Sequence, residues 1–223
     1  MLGLRSTLRR YSAALLVVAS ACATNATITG VSGPVPPSSL TPRQTAFLDT
    51  LERRTFNWFW EKSDPNTGLT PDRWPTQSFS SVAAIGFALT AYPVGVERGY
   101  VTRSDAAQRA LNTLRFMYNA PQGPQTTNVT GYKGFFYHFL DMQTGYRFQQ
   151  VELSTIDTSL LLGGVLFCQS YFTSADPTEN AIRAYADSIY LRIDWQWAVH
   201  NAPLVSMGWH PESGFINSDW KGY

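Results

Sequence analysis

The sequence predicts an all-α protein built as an α/α toroid, an inner ring of apolar helices wrapped by an outer ring of amphipathic ones. Three observations carry that prediction. Helical periodicity runs from Thr41 onward, amphipathic and uncharged segments alternate along the chain, and the connections alternate with them, long after an amphipathic helix and short after an uncharged one. An amphipathic helix can keep one side in water, whereas an uncharged one needs neighbours on every side.

Taken in order, Arg5, Arg9 and Arg10 precede the apolar run "AALLVVASAC" (13–22), which is too short to span a bilayer as a mature helix. It reads as an export signal. Its end, Ala19-Ser20-Ala21-Cys22, resembles a bacterial lipobox with Ala19 where Leu is usual, so residues 1–22 are expected to be a lipoprotein-type signal peptide with Cys22 lipidated. An ordinary cleaved signal peptide is the alternative. Either way the protein is expected to be exported to the bacterial cell envelope, touching membrane only through a lipid anchor. Residues 23–40, rich in Gly, Pro and small polar residues, form a tether, and 41–223 hold the folded domain.

The first helix opens at Thr41-Pro42, with Gln44 completing a capping box. Its apolar stripe is Phe47, Leu48, Leu51, Trp58 and Phe59. The second, Ser81 to Tyr92, carries no charge and is expected to stop at Pro93. The third runs from Ser104 to Asn119 behind a Thr102 cap, the nearly uncharged fourth from Ser154 to Phe172, and the fifth from Pro177 to Ile193 behind an Asp176 cap. Cys168 falls in the fourth and reads as a buried thiol. The long connections (61–79, 120–153 and 194–223) follow helices of one kind, so in an antiparallel array they share one face. Their aromatic content argues for order, and 134–140, 141–145 and 146–149 read as strand, turn and strand.

Composition narrows the ligand. Net charge is +1 with charges dispersed, which leaves no footprint for nucleic acid or an anionic surface. Aromatics make up 14% of residues, including seven Trp and eleven Tyr, rings that suit flat neutral faces such as sugars as well as a core. The chain has no phosphate-binding loop, dinucleotide fingerprint, nucleophile elbow or paired CxxC. His138, His200 and His210 are scattered, so no metal or other cofactor is expected. What remains is carboxylates among aromatics on the loop face, the inventory for hydrolysing glycosides, in which one acid protonates the leaving oxygen and a second carboxylate activates water.

Glu212, in "WHPESGF" between Trp209 and Phe215, is the leading candidate, because apolar neighbours raise a carboxyl pKa as a general acid requires. An ordinary surface turn is its competing reading. Asp72 in "TPDRWP", with Arg73 and Trp74 beside it, either faces substrate or holds a turn. Asp141 begins a DxxxG turn but follows the aromatic strand bearing Tyr137 and His138. Glu152 sits just before the fourth helix and is directed toward the face, whereas Asp157 reads as the second half of a cap with Ser154. Asp219 and Trp220, followed by Lys221, either bind sugar hydroxyls or close a salt bridge.

Five ordered stretches, "ERRTFNWFWE", "GLTPDRWPTQSFSSVAAIGFALTAYPVGVERGY", "GYKGFFYHFLDMQTG", "ELSTIDTSLLLGGVLFCQSYF" and "SMGWHPESGFINSDWKGY", together resemble the bacterial glycoamylase-like family, which includes the endo-β-1,2-glucanases of glycoside hydrolase family 144. The resemblance covers nearly everything from about residue 48 and implies an (α/α)6 toroid and inverting hydrolysis of β-1,2-glucan. It matches Glu212 to the family's general acid. Asp72, Asp141 and Glu152 match motifs lining the cleft, and the neighbouring Arg73, Trp74, Tyr137, His138, Trp209, Phe215, Asp219 and Trp220 complete the expected substrate-binding set. The family continues beyond "DWKGY" and its catalytic base lies in that continuation. The chain is therefore expected to be a fragment with about five of roughly twelve helices, and a monomer when complete. A non-catalytic surface glycan-binding lipoprotein and an α-glucan hydrolase of glucoamylase type remain as alternatives.

Overall fold

The structure, a computed structural model, describes residues 40–76 and 78–221. The export segment, Cys22 and nearly all of the tether lie outside the described residues.

Helix α1 (Pro42–Lys62) opens on the expected box: the Thr41 N–H donates to Gln44 Oε1 (2.9 Å) and the Gln44 N–H to Thr41 Oγ1 (3.3 Å). Phe47, Leu48 and Leu51 stay exposed; the helix is held further along, where Phe56 is buried and Trp60 meets Tyr92 edge-on at 5.7 Å. Helix α2 (Val82–Glu97) does not stop at Pro93 but runs through it. Proline removes the N–H that would bond the carbonyl four residues back, that of Leu89. That carbonyl accepts instead from the Cys168 thiol, Sγ to O 3.1 Å, on helix α4 (Thr155–Tyr171). The buried cysteine thus closes the gap that lets the helix continue, and burial pushes its pKa up, keeping it a thiol.

Helices α2 and α4 cross at glycines. A Cβ on Gly86 would meet the Leu160 carbonyl, and one on Gly164 would meet Gly86 backbone, so close approach here is open only to glycine. Helices α3 (Arg103–Asn119) and α5 (Pro177–Leu191) are capped by Thr102 and Asp176 as the sequence indicates, and they pack on one another and on the apolar pair. Phe87 and Val94 on α2 and Ile156, Leu160 and Phe167 on α4 remain exposed, leaving each apolar helix one bare stripe among the described residues.

One ion pair locks the outer helices. Arg103 donates from Nε and Nη2 to both oxygens of Glu179 (2.7 and 3.0 Å), and the Ser174 N–H adds a third bond. These contacts, led by the arginine and opposed by burial, lower the Glu179 pKa from 4.5 to about 2. A depressed carboxylate stabilises the fold above its ordinary pKa and loses that contribution as pH falls through the folded value. Glu179→Gln should therefore cost about 2 kcal/mol at pH 7, allowing for the solvent that reaches Arg103. In urea unfolding the gap from wild type should narrow between pH 4.5 and about 2.

The all-α expectation needs correction, since the long connections form short antiparallel strands. These are β1 (Ser80–Ser81), β2 (Gly131–Tyr132), β3 (Phe135–Tyr137), β4 (Phe139–Leu140), β5 (Leu153–Ser154), β6 (Val205–Ser206), β7 (Gly208–His210), β8 (Gly214–Phe215) and β9 (Asp219–Trp220). They pair as β1-β4, as a sheet in the order β2-β3-β5-β7-β8, and as β6-β9. The physical reason is that aromatic-rich connections bury their backbone, and buried N–H and C=O groups must find partners. A four-residue helix, α6 (Trp195–Ala198), also went unforeseen. The expected hairpin is present at 139–148: Asp141 N donates to Tyr146 O and Phe148 N to Phe139 O (2.8 and 3.0 Å). Pairing β1 with β4 and β5 with β7 ties the three long connections together.

Candidate active site

The five-stranded sheet sorts the candidate side chains, because successive residues of a strand point to opposite faces. Register aligns Tyr137, Leu153, Trp209 and Phe215 on one face. There the rings are engaged with each other and with their neighbours: Trp209 lies 5.1 Å from Tyr132 and 5.7 Å from Trp197, and Phe215 stacks on His200 at 4.3 Å. The opposite face carries Phe136, His138, Glu152, Ser154 and His210, with Gly208 among them, where a Cβ would meet the Leu153 carbonyl and crowd Glu152.

On that second face His138 lies between two carboxylates. Its Nδ1–H donates to Glu152 Oε1 (2.7 Å), and Nε2 is 3.6 Å from Asp157 Oδ1. Burial works against charging the ring and is the largest single influence. The Glu152 bond and the charges of Asp157, Glu152 and Asp72 nevertheless outweigh it, and the His138 pKa lies above its ordinary value. Glu152 shows the mirror effect: burial raises its pKa, but the bond from His138 and the charges of His138 and His210 bring it below the ordinary carboxylate range. Asp157 is the cap partner the sequence indicates, bonded to Ser154 through Ser154 Oγ, but its other oxygen faces His138, a second role that cap spacing does not reveal.

Glu212, on the turn between β7 and β8, departs most from expectation. Both its oxygens accept from Arg147, Nη1 to Oε1 at 2.6 Å and Nη2 to Oε2 at 3.1 Å. The guanidinium lowers the Glu212 pKa, outweighing the small opposing effect of burial. The raised pKa predicted from Trp209 and Phe215 is therefore corrected: the Arg147 cation holds the carboxyl, and its charge outweighs the apolar neighbours. Nothing in the local sequence marks Arg147, which is 65 residues away.

The remaining candidates are dispersed. Asp72 pairs with Arg73 (3.1 Å) at an exposed loop and reaches His138 only through its charge. Trp74 is exposed beneath Lys62, whose Nζ lies 4.2 Å from the ring centroid. Asp141 uses Oδ1 to accept from Gln143 N, Thr144 N and Thr144 Oγ1, the turn reading of its DxxxG motif; these bonds, with Thr144 N first, lower its pKa against a small effect of burial. Asp219 accepts from the Asn201 amide (3.1 Å), and Trp220 Nε1 donates to Thr155 Oγ1 (2.9 Å) at the start of α4.

The joined connections thus bring carboxylates, imidazoles and aromatic rings together on one helical body. No family model matches the chain. Over 177 residues it is 27% identical to an exo-β-1,2-glucooligosaccharide sophorohydrolase (non-reducing end) of Parabacteroides distasonis, spanning 76% of this chain and 23% of that protein. Among solved structures it resembles a Bacteroides uniformis protein provisionally called a glucoamylase (26% identity, TM-score 0.70, 82% of this chain and 44% of the other). It also resembles a β-1,2-glucanase of Parabacteroides distasonis (27%, 0.66, 78% and 25%). In fold alone it resembles an endo-β-1,2-glucanase of Chitinophaga pinensis solved with sophorotriose and glucose (22%, 0.68, 80% and 44%). The chain thus spans about a quarter of its curated relative and under half of the solved ones. These likenesses bear out the resemblance to the glycoamylase-like family that the motifs carry.

Proposed function

We propose that these residues form part of the cleft of an inverting glycoside hydrolase acting on β-1,2-glucan. The observation that carries this reading is the likeness, over most of the chain, to proteins named for cleaving β-1,2-linked glucose. Glu212 donates its proton to the glycosidic oxygen as the bond to the anomeric carbon breaks, and water attacks that carbon, losing its proton to a second carboxylate. That second carboxylate is supplied by the part of the relatives' length that these residues do not span. His138 and Glu152, each about a third exposed, bind sugar hydroxyls. We also propose that the helices form part of an (α/α)6 toroid, α2 and α4 inside and α3 and α5 outside, whose remaining inner helices cover the stripe at Phe87, Leu160 and Phe167. The protein is exported and anchored through Cys22, a reading that rests on residues 1–22 alone.

Release of reducing ends by the purified complete protein from β-1,2-glucan, set against starch, tests the reading. Sophorose or sophoro-oligosaccharides as products support it; release from starch alone would move it to the α-glucan class. A second reading, glycan binding without chemistry, is favoured by the pairing of Glu212 with Arg147, which makes Glu212 an anion rather than a proton donor in the ligand-free protein. Glucan binding with no released ends would establish it.

A further inference from the structure

We propose that Arg147 is a positioning residue for Glu212, a buried fork that fixes the orientation of this carboxylate and governs its protonation. The inference deepens the proposed hydrolase reading and rests on it for its catalytic consequence.

The geometry is asymmetric. The Arg147 side chain is 1% exposed and the Glu212 side chain 37%. The arginine is immobilised from several directions: Nε donates to Val151 O (2.7 Å), Nη1 to Thr126 O (3.4 Å), and the guanidinium lies 4.7 Å over the Tyr137 ring. Nη2 also meets His210 Nδ1 at 3.3 Å, a contact to which a guanidinium can only donate. A buried cation needs a partner, and among the described residues its carboxylate partner is Glu212. The glutamate is therefore held rigidly from below while its outer side stays open to a ligand.

Tyr137 lies against the same pair. Its ring is wholly buried and its hydroxyl finds no hydrogen-bond partner among the described residues. A buried donor without an acceptor is uncommon. Burial, offset in part by Arg147 and reinforced by Glu212, pushes this hydroxyl up to about 12, so it remains a donor at neutral pH. The groups that face Glu212 are thus Arg147 from the 141–152 connection, His210 from β7 and Tyr137 from β3.

The test uses the complete protein with Arg147→Met, Arg147→Lys and Glu212→Gln. The Glu212 carboxylate is followed by carbon-13 NMR against pH, with Glu212→Gln assigning the signal, and kcat/KM on a β-1,2-gluco-oligosaccharide is measured over the same range. A general acid must be protonated in the free enzyme, so the basic limb of kcat/KM follows its pKa. Removing the cation raises that pKa, and the limb moves to higher pH. Arg147→Met is expected to move both the NMR titration and the limb upward while lowering kcat about 100-fold through lost orientation. Arg147→Lys keeps the charge without the fork, so it restores the titration more than it restores kcat. If the methionine variant does not fold, the lysine variant decides: wild-type titration together with wild-type kcat overturns the proposal. In a folded methionine variant, an unmoved titration and limb overturn it as well. Full activity in Glu212→Gln would instead defeat the hydrolase assignment of Glu212, leaving the NMR titration to judge the clamp by itself.

Discussion

Glu212→Gln in the complete protein is expected to lower hydrolysis of β-1,2-glucan by about 10²- to 10⁴-fold, the range set by loss of a positioned proton donor, while oligosaccharide binding stays within a few-fold of wild type. An amide has no proton to give the departing oxygen, yet it has nearly the shape of the carboxyl and can still accept from Arg147. A substrate with an activated aryl leaving group needs no protonation, so the variant should cleave it at near wild-type rate. That contrast separates a lost acid from a lost fold. Equal damage on both substrates would instead point to displacement of the turn between β7 and β8. Binding by calorimetry should be measured well below the melting temperature, because removing the charge that pairs with the buried Arg147 leaves that cation uncompensated.

Phe136→Ala should destabilise the fold by about 3–5 kcal/mol, the cost of removing a large ring from a close-packed interior. Phe136 is wholly buried in the middle of β3, with Gly131 opposite it on β2 and Ser154 opposite on β5. Its N–H donates to Thr158 Oγ1 (3.0 Å), and its ring lies 5.2 Å from the guanidinium of Arg192, which caps the end of α3 through Met117 O and Tyr118 O. The ring therefore joins the sheet, α4 and the α3 terminus, and an empty volume there cannot be filled by shifting one element. The measurement is the urea midpoint at unchanged slope. Gln108→Ala on the exposed side of α3 should move stability by no more than about 0.5 kcal/mol. A loss of that small size at Phe136 would mean that the connections are loosely attached to the helical body.

The helices were legible because their signals are local. Thr41, Thr102, Ser154 and Asp176 cap the helices they precede, each bonding to backbone within three residues, and the apolar and amphipathic segments fall where periodicity places them. Pro93 shows the limit of such reasoning. Read locally it ends a helix, and only Cys168, 79 residues from Leu89, explains why the helix continues. The strands escaped detection because they are two or three residues long, too short to display a period, and are called into being by burial of the connections around them.

The site divides in the same way. Composition and residue type led to the carboxylates and imidazole that face one another, Glu152 and His138, and the resemblance added the class of chemistry, which the likeness to β-1,2-glucan-cleaving proteins supports. Sequence by itself determined which helices form, how they are capped, and that the long connections would be ordered and rich in sugar-binding residue types. Tertiary structure alone decided that Trp209 and Phe215 turn away from His138 and Glu152, that Asp157 faces the imidazole, and that Arg147 holds Glu212. The reason is physical: capping and periodicity act over a few residues. The face a strand side chain takes, and the ionisation of a carboxyl, are set instead by register and by charges that distant parts of the chain bring within about 4 Å.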